Sequence, residues 1–276
     1  MAKKNLNSLN DIVFHEEKIH YTYKLIDFLV NIKNANNLIV LFHGTAAGAS
    51  YPIFRGYDYN FSESIVLSIS DPLIKLYKGL NIGWYLDSKK YNITGNIKEI
   101  IEHIKKICNI KKVLFVSNCS GALIALKLSC IMNEDCLIAN PHTIIKSNDC
   151  TTYSHWSEES LVNGYRMPLS SNDNYKKVKI LNQYLKEDNN EITSFDLLDA
   201  RNFFKLYGIP KLLICYTHKD DYTAEWILKI NEYYKNINNN NIIITLNDKV
   251  DVSPHHTPFR DNNNLKKSIE SIINKY

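Results

Sequence analysis

Residues 113–122 form the run Val113-Leu114-Phe115-Val116-Ser117-Asn118-Cys119-Ser120-Gly121-Ala122, in which four apolar residues meet a group of small ones around a cysteine. The apolar run has the length of a buried strand, and a helical pattern begins at Ala122. Ser117 and Gly121 lie two positions before and after Cys119, where only small residues tolerate a strained turn. The stretch therefore predicts a strand, a sharp turn and a helix.

A cysteine at such a turn is a candidate nucleophile. In α/β-hydrolases the same turn lifts a serine above the edge of the sheet, and the amide of the next residue, here Ser120, helps to bind an oxyanion. The helix that follows would lower the pKa of the Cys119 thiol and favour the thiolate. The alternative is a structural role, because free cysteines are among the most buried residues of proteins.

The size and charge of the chain narrow its class. A length of 276 residues with 45% hydrophobic side chains fits one large α/β domain with a substantial core. The formal net charge is only +4, which does not indicate a basic surface that binds nucleic acid. The longest apolar runs are strand-sized and the start has no apolar signal region, so we expect no membrane span. These features predict a single cytoplasmic domain over residues 1–276.

The cysteines carry no sign of a metal site or a disulfide framework. Six of them, at positions 108, 119, 130, 136, 150 and 215, lie mostly within apolar strand or helix patterns. The paired short spacings of a zinc site are missing from the sequence. We therefore expect reduced thiols and no bound metal.

Short apolar segments alternate with helical patterns along most of the chain. We predict buried strands over residues 37–42, 64–69, 112–116, 136–139, 211–216 and 241–246, and helices over 97–108, 122–132, 224–237 and 265–273. This alternation predicts a doubly wound, mostly parallel sheet.

Two further segments depart from the alternation. Residues 12–15 and 18–23 flank Glu16-Glu17 and predict a hairpin near the start. Between 143 and 206, polar loops and two helical segments, 177–185 and 194–204, interrupt the pattern of strands. We interpret 143–206 as a helical lid inserted in the domain.

The last two predicted strands lead into an acidic pair and a pair of histidines. In the α/β-hydrolase arrangement the acid and then the base follow the nucleophile along the chain. Asp221 is preferred to Asp220 as the carboxylate, and His256 to His255 as the base. The alternatives are that the aspartates cap the next helix and that the histidines line a loop or bind metal adventitiously.

The turn after the 37–42 strand reads His43-Gly44-Thr45-Ala46-Ala47-Gly48. Glycine and small residues let a backbone approach a substrate closely. We therefore predict that the amides of Gly44 and Thr45 complete an oxyanion hole with that of Ser120, although Gly44 equally suits an ordinary turn.

A few aromatic and basic residues are candidates for binding substrate. Aromatic rings can stack on sugars, and the guanidinium of Arg55 can meet a phosphate or a sugar acid. The candidates are His43, Arg55, Trp84, His142 and His255. Packing roles are the alternative for the aromatic residues.

Together with these elements, further short motifs resemble α/β-hydrolase-like proteins of bacterial surface-polysaccharide loci, among them capsule O-acetyltransferases. The motifs are Tyr51-Pro52-Ile53-Phe54-Arg55, Ser70-Asp71-Pro72, Ile82-Gly83-Trp84-Tyr85 and Asn140-Pro141-His142-Thr143. The resemblance is distant and spans the chain, and the match to the acetyltransferases is best over 114–122 and 214–222. The family's serine falls on Cys119, its aspartate on Asp221 and its histidine on His256.

The resemblance implies an acyl-enzyme that takes an acetyl group from acetyl-CoA and passes it to a sugar hydroxyl. The cysteine departs from the family's serine, but an acyl-cysteine thioester keeps the transfer potential of acyl-CoA. We therefore expect an O-acetyltransferase of surface polysaccharide, with acetyl-CoA and a glycan as substrates and no bound cofactor. The alternatives are an esterase or thioesterase with a Cys-His-Asp triad, and a non-catalytic protein that binds a glycan or a partner.

Overall fold

The computed structural model describes residues 3–44, 49–77, 80, 83–88, 90–141, 200–218, 232, 242–247 and 262–274. The strands are β1 (Lys3–Asn5), β2 (Ile19–Tyr23), β3 (Ile26–Val30), β4 (Asn37–Phe42), β5 (Ser64–Ile69), β6 (Lys112–Asn118), β7 (Asp135–Ala139), β8 (Leu213–His218) and β9 (Ile242–Asn247). The α-helices are α1 (Pro72–Leu76), α2 (Ile93–Cys108), α3 (Ala122–Met132), α4 (Ala200–Tyr207) and α5 (Asn262–Ile273).

All nine strands form one sheet in the order β1-β2-β3-β5-β4-β6-β7-β8-β9. The pairs from β5 through β4 to β9 are parallel, whereas β3 is antiparallel to both β2 and β5. The predicted mostly parallel sheet is therefore confirmed. The carboxyl ends of the parallel strands lie at one edge, where ligands bind in open α/β sheets.

Helices cover both faces of this sheet. In β4, Val40 belongs to the core that includes α2 and α3, whereas Leu41 belongs to a second core that includes Leu265 and Ile269 of α5. Neighbouring residues of a strand point to opposite faces, so each strand contributes to both cores. The predicted double winding is confirmed for the described part of the chain.

The predicted hairpin at Glu16-Glu17 is wrong. Residues 12–15 are not a strand, and β2 pairs instead with β3, which the sequence reasoning missed. The two-residue turn is Lys24-Leu25, and both residues have positive φ, 42° and 79°. Positive φ at both positions is the geometry of a type I′ turn, which strands with a right-handed twist favour. Because neither residue is glycine or asparagine, the sequence carries no turn signal there.

Asp27 of β3 is buried at the centre of a cluster of donors, although its residue type rarely lies in a core. The side chains of His20, Thr22 and Tyr51 contact its carboxylate at 2.7, 2.5 and 2.7 Å. Lys75 of α1 and Lys3 of β1 form ion pairs with it at 3.1 and 3.2 Å. Asp27 thereby ties three strands, a helix and residue 51 together.

The predicted lid over 143–206 lies almost wholly outside the described residues and stays a prediction. Its last residues belong to α4, where Phe203 and Phe204 are buried in the same core as α3. The predicted helices over 177–185 and 224–237 lie outside the described residues, apart from position 232. None of the helices in the described ranges is both long and apolar enough to cross a bilayer.

Replacement of Asp27 should show how much its buried carboxylate contributes to the free energy of unfolding. Burial alone would raise the pKa of Asp27, but the hydrogen bonds from Thr22, Tyr51, His20 and Lys75 outweigh it and hold that pKa well below its usual range. The stability that the carboxylate contributes is therefore present in full above its ordinary pKa of about 4, and it is lost progressively as the pH falls from there towards the lowered pKa of the folded state. We expect Asp27→Asn to cost about 3 kcal/mol at pH 7 in urea unfolding, and much less at low pH.

Glu99→Gln is the matched control, because the ion pair between Glu99 and Lys24 is exposed at the surface. It should have a much smaller effect on the unfolding midpoint at either pH. Equal losses in the two variants would contradict a central role for Asp27.

Candidate active site

The strand, turn and helix predicted around Cys119 are all present. β6 ends at Asn118, a single 3₁₀ turn spans Cys119–Gly121, and α3 begins at Ala122. Cys119 has a φ of 53°, in the left-handed region that residues with a side chain seldom occupy. A side chain held in this conformation between a strand and a helix is the geometry of a nucleophile elbow.

Gly121 makes room for this turn. A β-carbon at position 121 would lie 2.3 Å from Oγ of Ser117 and 2.5 Å from the carbonyl oxygen of His43. Ser117 is itself fixed, because its hydroxyl donates to the carbonyl oxygen of Phe42 at 3.1 Å. The small residues on either side of the cysteine therefore allow α3 to begin close against the end of β4.

Gly44 brings the predicted oxyanion loop beside Cys119. The register pairs Phe42 of β4 with Ser117 of β6, so the residues that follow the two strands run side by side. A β-carbon on Gly44 would lie 3.1 Å from Cβ of Cys119 and 3.3 Å from the carbonyl oxygen of Asn118. The backbone of Gly44 thus approaches Cys119 closely, while the role of its amide in an oxyanion hole stays a prediction. Thr45 lies outside the described residues.

His43, a candidate for binding substrate, has both ring nitrogens engaged by backbone groups. Nε2 accepts a hydrogen bond from the amide of Asp71 at 2.9 Å, so Nδ1 carries the proton and donates to the carbonyl oxygen of Gly44 at 2.6 Å. Burial lowers the pKa of His43 to about 4, against the raising effect of the bond to Gly44. A neutral His43 therefore fixes the carbonyl of Gly44 and orients the loop.

Asp71 connects the His43 loop to a second loop at the same edge. Its carboxylate is buried and accepts hydrogen bonds from the amides of Leu73 and Tyr85 at 3.0 and 3.2 Å. Burial raises its pKa to about 6, although these bonds and one from Gly83 oppose the rise. The hydroxyl of Tyr85 in turn accepts from the amide of His43 at 3.2 Å. The backbone on this side of Cys119 is therefore held by a continuous set of hydrogen bonds.

Arg55 and Trp84, two further candidates for binding substrate, have different surroundings. Nη1 of Arg55 donates to Oδ1 of Asn118 at 3.0 Å, which places the guanidinium beside the residue that precedes Cys119. Trp84 is only 1% exposed and lines a cavity of about 20 Å³ with Leu123, Lys127 and other residues. Its indole is therefore part of a buried wall and has no open face on which a sugar ring can stack.

The other predicted site residues, Asp221, His256, His142 and His255, lie outside the described residues, so their roles stay predictions. The strands that precede the acid and the base are described. β8 ends at His218 and β9 at Asn247, and both run parallel to β6. The chain therefore leaves β8 and β9 at the edge of the sheet that carries Cys119.

Asn118, Asp71 and Tyr85 were not predicted as site residues. The side-chain oxygen of Asn118 accepts a hydrogen bond from Arg55. Asp71 and Tyr85 hold the loops beside Cys119. Asn118 stands between Ser117 and Cys119 in the quoted stretch, and a polar residue at the end of a buried strand was the available signal. Asp71 and Tyr85 stand in two of the motifs quoted for the family resemblance, but those motifs do not indicate the contacts between distant segments that give the two residues their roles.

The close packing at Gly121 makes a prediction about stability. We expect Gly121→Ala to destabilise the protein by about 1–3 kcal/mol in urea unfolding, because the added methyl meets a backbone carbonyl that cannot move cheaply. Gly95→Ala in α2 is the control, since the three atoms nearest to its β-carbon all belong to the exposed side chain of Asn92, which can turn away at the cost of its hydrogen bond to the amide of residue 95. A Gly121→Ala protein as stable as the control would contradict the close approach of α3 to β4.

No protein-family model and no curated protein sequence matches this chain. Among solved structures, the capsule O-acetyltransferase of Neisseria meningitidis serogroup A is 14% identical with a TM-score of 0.59, over 93% of this chain and 94% of that one. Francisella virulence factor BioJ is 12% identical with a TM-score of 0.56, over 96% and 87% of the two chains. The Pyrococcus furiosus esterase Pf2001 is 15% identical with a TM-score of 0.56, over 98% and 94%.

A further structure of the meningococcal enzyme, of a variant in complex with CoA, is 14% identical over 92% of this chain and 94% of that one, with a TM-score of 0.55. At these identities the likeness concerns the fold, and it agrees with the parallel sheet and the elbow described above. The chain thus has an α/β-hydrolase-like fold and distantly resembles the meningococcal capsule O-acetyltransferase.

Proposed function

We propose that this protein is an acyltransferase that moves an acyl group, most simply acetyl, from acyl-CoA to a sugar hydroxyl of a surface polysaccharide. The observation that carries the proposal is the left-handed turn at Cys119 with Gly44 packed against it. A strained nucleophile beside a small-residue backbone loop is the arrangement that acyl transfer through a tetrahedral intermediate needs. The proposed site of action is the cytoplasm, where acyl-CoA is available.

The first half of the proposed reaction forms an acyl-enzyme. His256, oriented by Asp221, takes the thiol proton of Cys119, and the sulfur attacks the thioester carbonyl of acyl-CoA. The amides of Ser120, Gly44 and Thr45 stabilise the oxyanion. The bond between the carbonyl carbon and the CoA sulfur then breaks, and CoA leaves with the proton from His256.

The second half transfers the acyl group to the acceptor. His256 takes the proton of a sugar hydroxyl, whose oxygen attacks the thioester on Cys119 and forms the ester. The cysteine sulfur leaves and regains a proton from His256. A lid over 143–206 that excludes water would favour the sugar over hydrolysis.

Cysteine in place of serine supports transfer over hydrolysis. A thioester keeps the acyl group at the transfer potential it had in acyl-CoA, so its passage to an alcohol is downhill. One structural neighbour, a variant of the meningococcal capsule O-acetyltransferase, was solved in complex with CoA, which is consistent with an acyl-CoA donor for this chain. An esterase or thioesterase is the second candidate, because another structural neighbour, from Pyrococcus furiosus, is named as an esterase.

Intact-mass measurement tests the acyl-enzyme directly. Wild type incubated with acetyl-CoA and no acceptor should gain the mass of one acetyl group and release a matching amount of CoA. Cys119→Ser is the matched variant, since its hydroxyl keeps the size of the side chain, and we expect it to form less adduct because a hydroxyl is the weaker nucleophile. Cys119→Ala should form none.

The outcomes separate the functions. An adduct that persists until a glycan is added supports the transferase, whereas steady release of acetate without an acceptor supports the hydrolase. Absence of both adduct and CoA release from wild type would contradict the proposed acetyl-CoA chemistry. An adduct retained in Cys119→Ala would contradict the assignment of the nucleophile.

A further inference from the structure

The segment 51–55 crosses the sheet between the Asp27 cluster and the elbow, and it is fixed at several points. The hydroxyl of Tyr51 donates to the carboxylate of Asp27 at 2.7 Å, and the amide of Ile53 donates to Oγ of Ser70 at 3.0 Å. The ring of Phe54 packs edge-on against His20 at 5.0 Å. These contacts with β3, the end of β5 and β2 determine where the next side chain, that of Arg55, can reach.

The guanidinium of Arg55 reaches the residue before the nucleophile. Its Nη1 donates to Oδ1 of Asn118 at 3.0 Å. The same Asn118 oxygen lies 3.5 Å from the point that a β-carbon on Gly44 would occupy, and Cβ of Cys119 lies 3.1 Å from that point. The guanidinium, the nucleophile and the Gly44 loop are therefore grouped around one side-chain oxygen.

A guanidinium in this position stays charged. Burial lowers the pKa of Arg55, while Tyr59 and Cys119 act in the opposite direction. Arginine is still protonated after such shifts, because its ordinary pKa is above 12. A fixed positive charge next to a thiol favours the thiolate.

We propose that Arg55 is a positioning residue whose guanidinium stabilises Cys119 as the thiolate before the acyl donor binds. The inference rests on the proposed function, since it concerns the same cysteine. The S–H bond breaks and the proton passes to the base, His256 in the proposed reaction, with no change of oxidation state. The sulfur is then already a thiolate when the donor binds, and the base holds the proton that CoA carries away.

Other groups face the same region, and their charges matter for this ionisation. His43, from the loop after β4, is close enough for the charge of Arg55 to oppose its protonation, and it is neutral at pH 7. Tyr59 interacts with Arg55 from the segment after residue 56. The start of α3 adds the partial positive charge of a helix N-terminus. Replacement of Arg55 separates its contribution from that of the helix.

The pH dependence of alkylation tests this role. The rate at which iodoacetamide modifies Cys119, followed by intact mass between pH 4 and 10, reports the thiolate fraction, and Cys119→Ser gives the background from other cysteines. Arg55→Gln keeps a donor for Asn118 without the charge, and Arg55→Lys keeps the charge. We expect the midpoint to rise by at least one pH unit in Arg55→Gln, on the scale of about 1–3 units for a neighbouring opposite charge.

That shift corresponds to about a tenfold slower reaction at pH values below both midpoints. The midpoint of Arg55→Lys should lie nearer to that of wild type. If Arg55 only holds Asn118 in place, Arg55→Gln keeps the wild-type midpoint, and the proposal is overturned. A general distortion lowers the plateau rate at high pH, and a melting temperature measured for each variant identifies unfolding.

This experiment uses no acyl donor, so its result is independent of the proposed reaction. A raised midpoint in Arg55→Gln supports the role of Arg55 even if no acetyl adduct forms with acetyl-CoA. An unchanged midpoint overturns that role even if the adduct does form.

Discussion

The left-handed backbone at Cys119 is the constraint on which the active-site region depends. A φ of 53° at a residue with a side chain costs free energy, and it persists because the surrounding structure leaves no alternative. Gly121 lets α3 begin against the carbonyl of His43, and Gly44 lets the neighbouring loop pass next to the cysteine. The parallel register of β4 and β6 sets both approaches, so the sheet determines the geometry of the elbow.

Hydrogen bonds between polar side chains connect the turn at Cys119 to the antiparallel strands at one edge of the sheet. On one side, His43 and Asp71 hold the loops through backbone hydrogen bonds. On the other, the segment 51–55 joins Asp27 to Arg55, and Arg55 contacts Asn118. Polar side chains that are buried in such numbers are stabilising only when they are well paired. Here the pairing also holds the guanidinium of Arg55 beside the residue that precedes Cys119, so the contacts that stabilise the fold also position a charged group at the proposed site.

Much of the sheet and the elbow could be predicted because their signals are local. The strands β4 and β5 have the predicted bounds, and the small residues around Cys119 correctly predicted the turn. The hairpin formed by β2 and β3 was missed for two reasons. Its turn residues, Lys24 and Leu25, adopt positive φ without being glycine or asparagine. Asp27 also interrupts the apolar run of β3. A buried aspartate looks like a surface residue until its partners, which come from other strands and a helix, are known.

The partners of the candidate site residues were beyond sequence reasoning for a similar reason. Arg55 and Asn118 are 63 residues apart, and only the strand order brings them together. His43 was a candidate for binding substrate, but a sequence pattern cannot indicate that both its ring nitrogens meet backbone groups. Residue type gave the chemical possibilities at each position, and the pairing of distant segments selected among them.

The most direct test of the central claim is a crystal structure of the protein after reaction with acetyl-CoA in the absence of an acceptor. The account predicts electron density for an acetyl group on Sγ of Cys119, with its carbonyl oxygen directed at the amide of Ser120 and the Gly44 loop. Acetylation of a different residue, or a carbonyl oxygen that points away from both amides, would contradict the account.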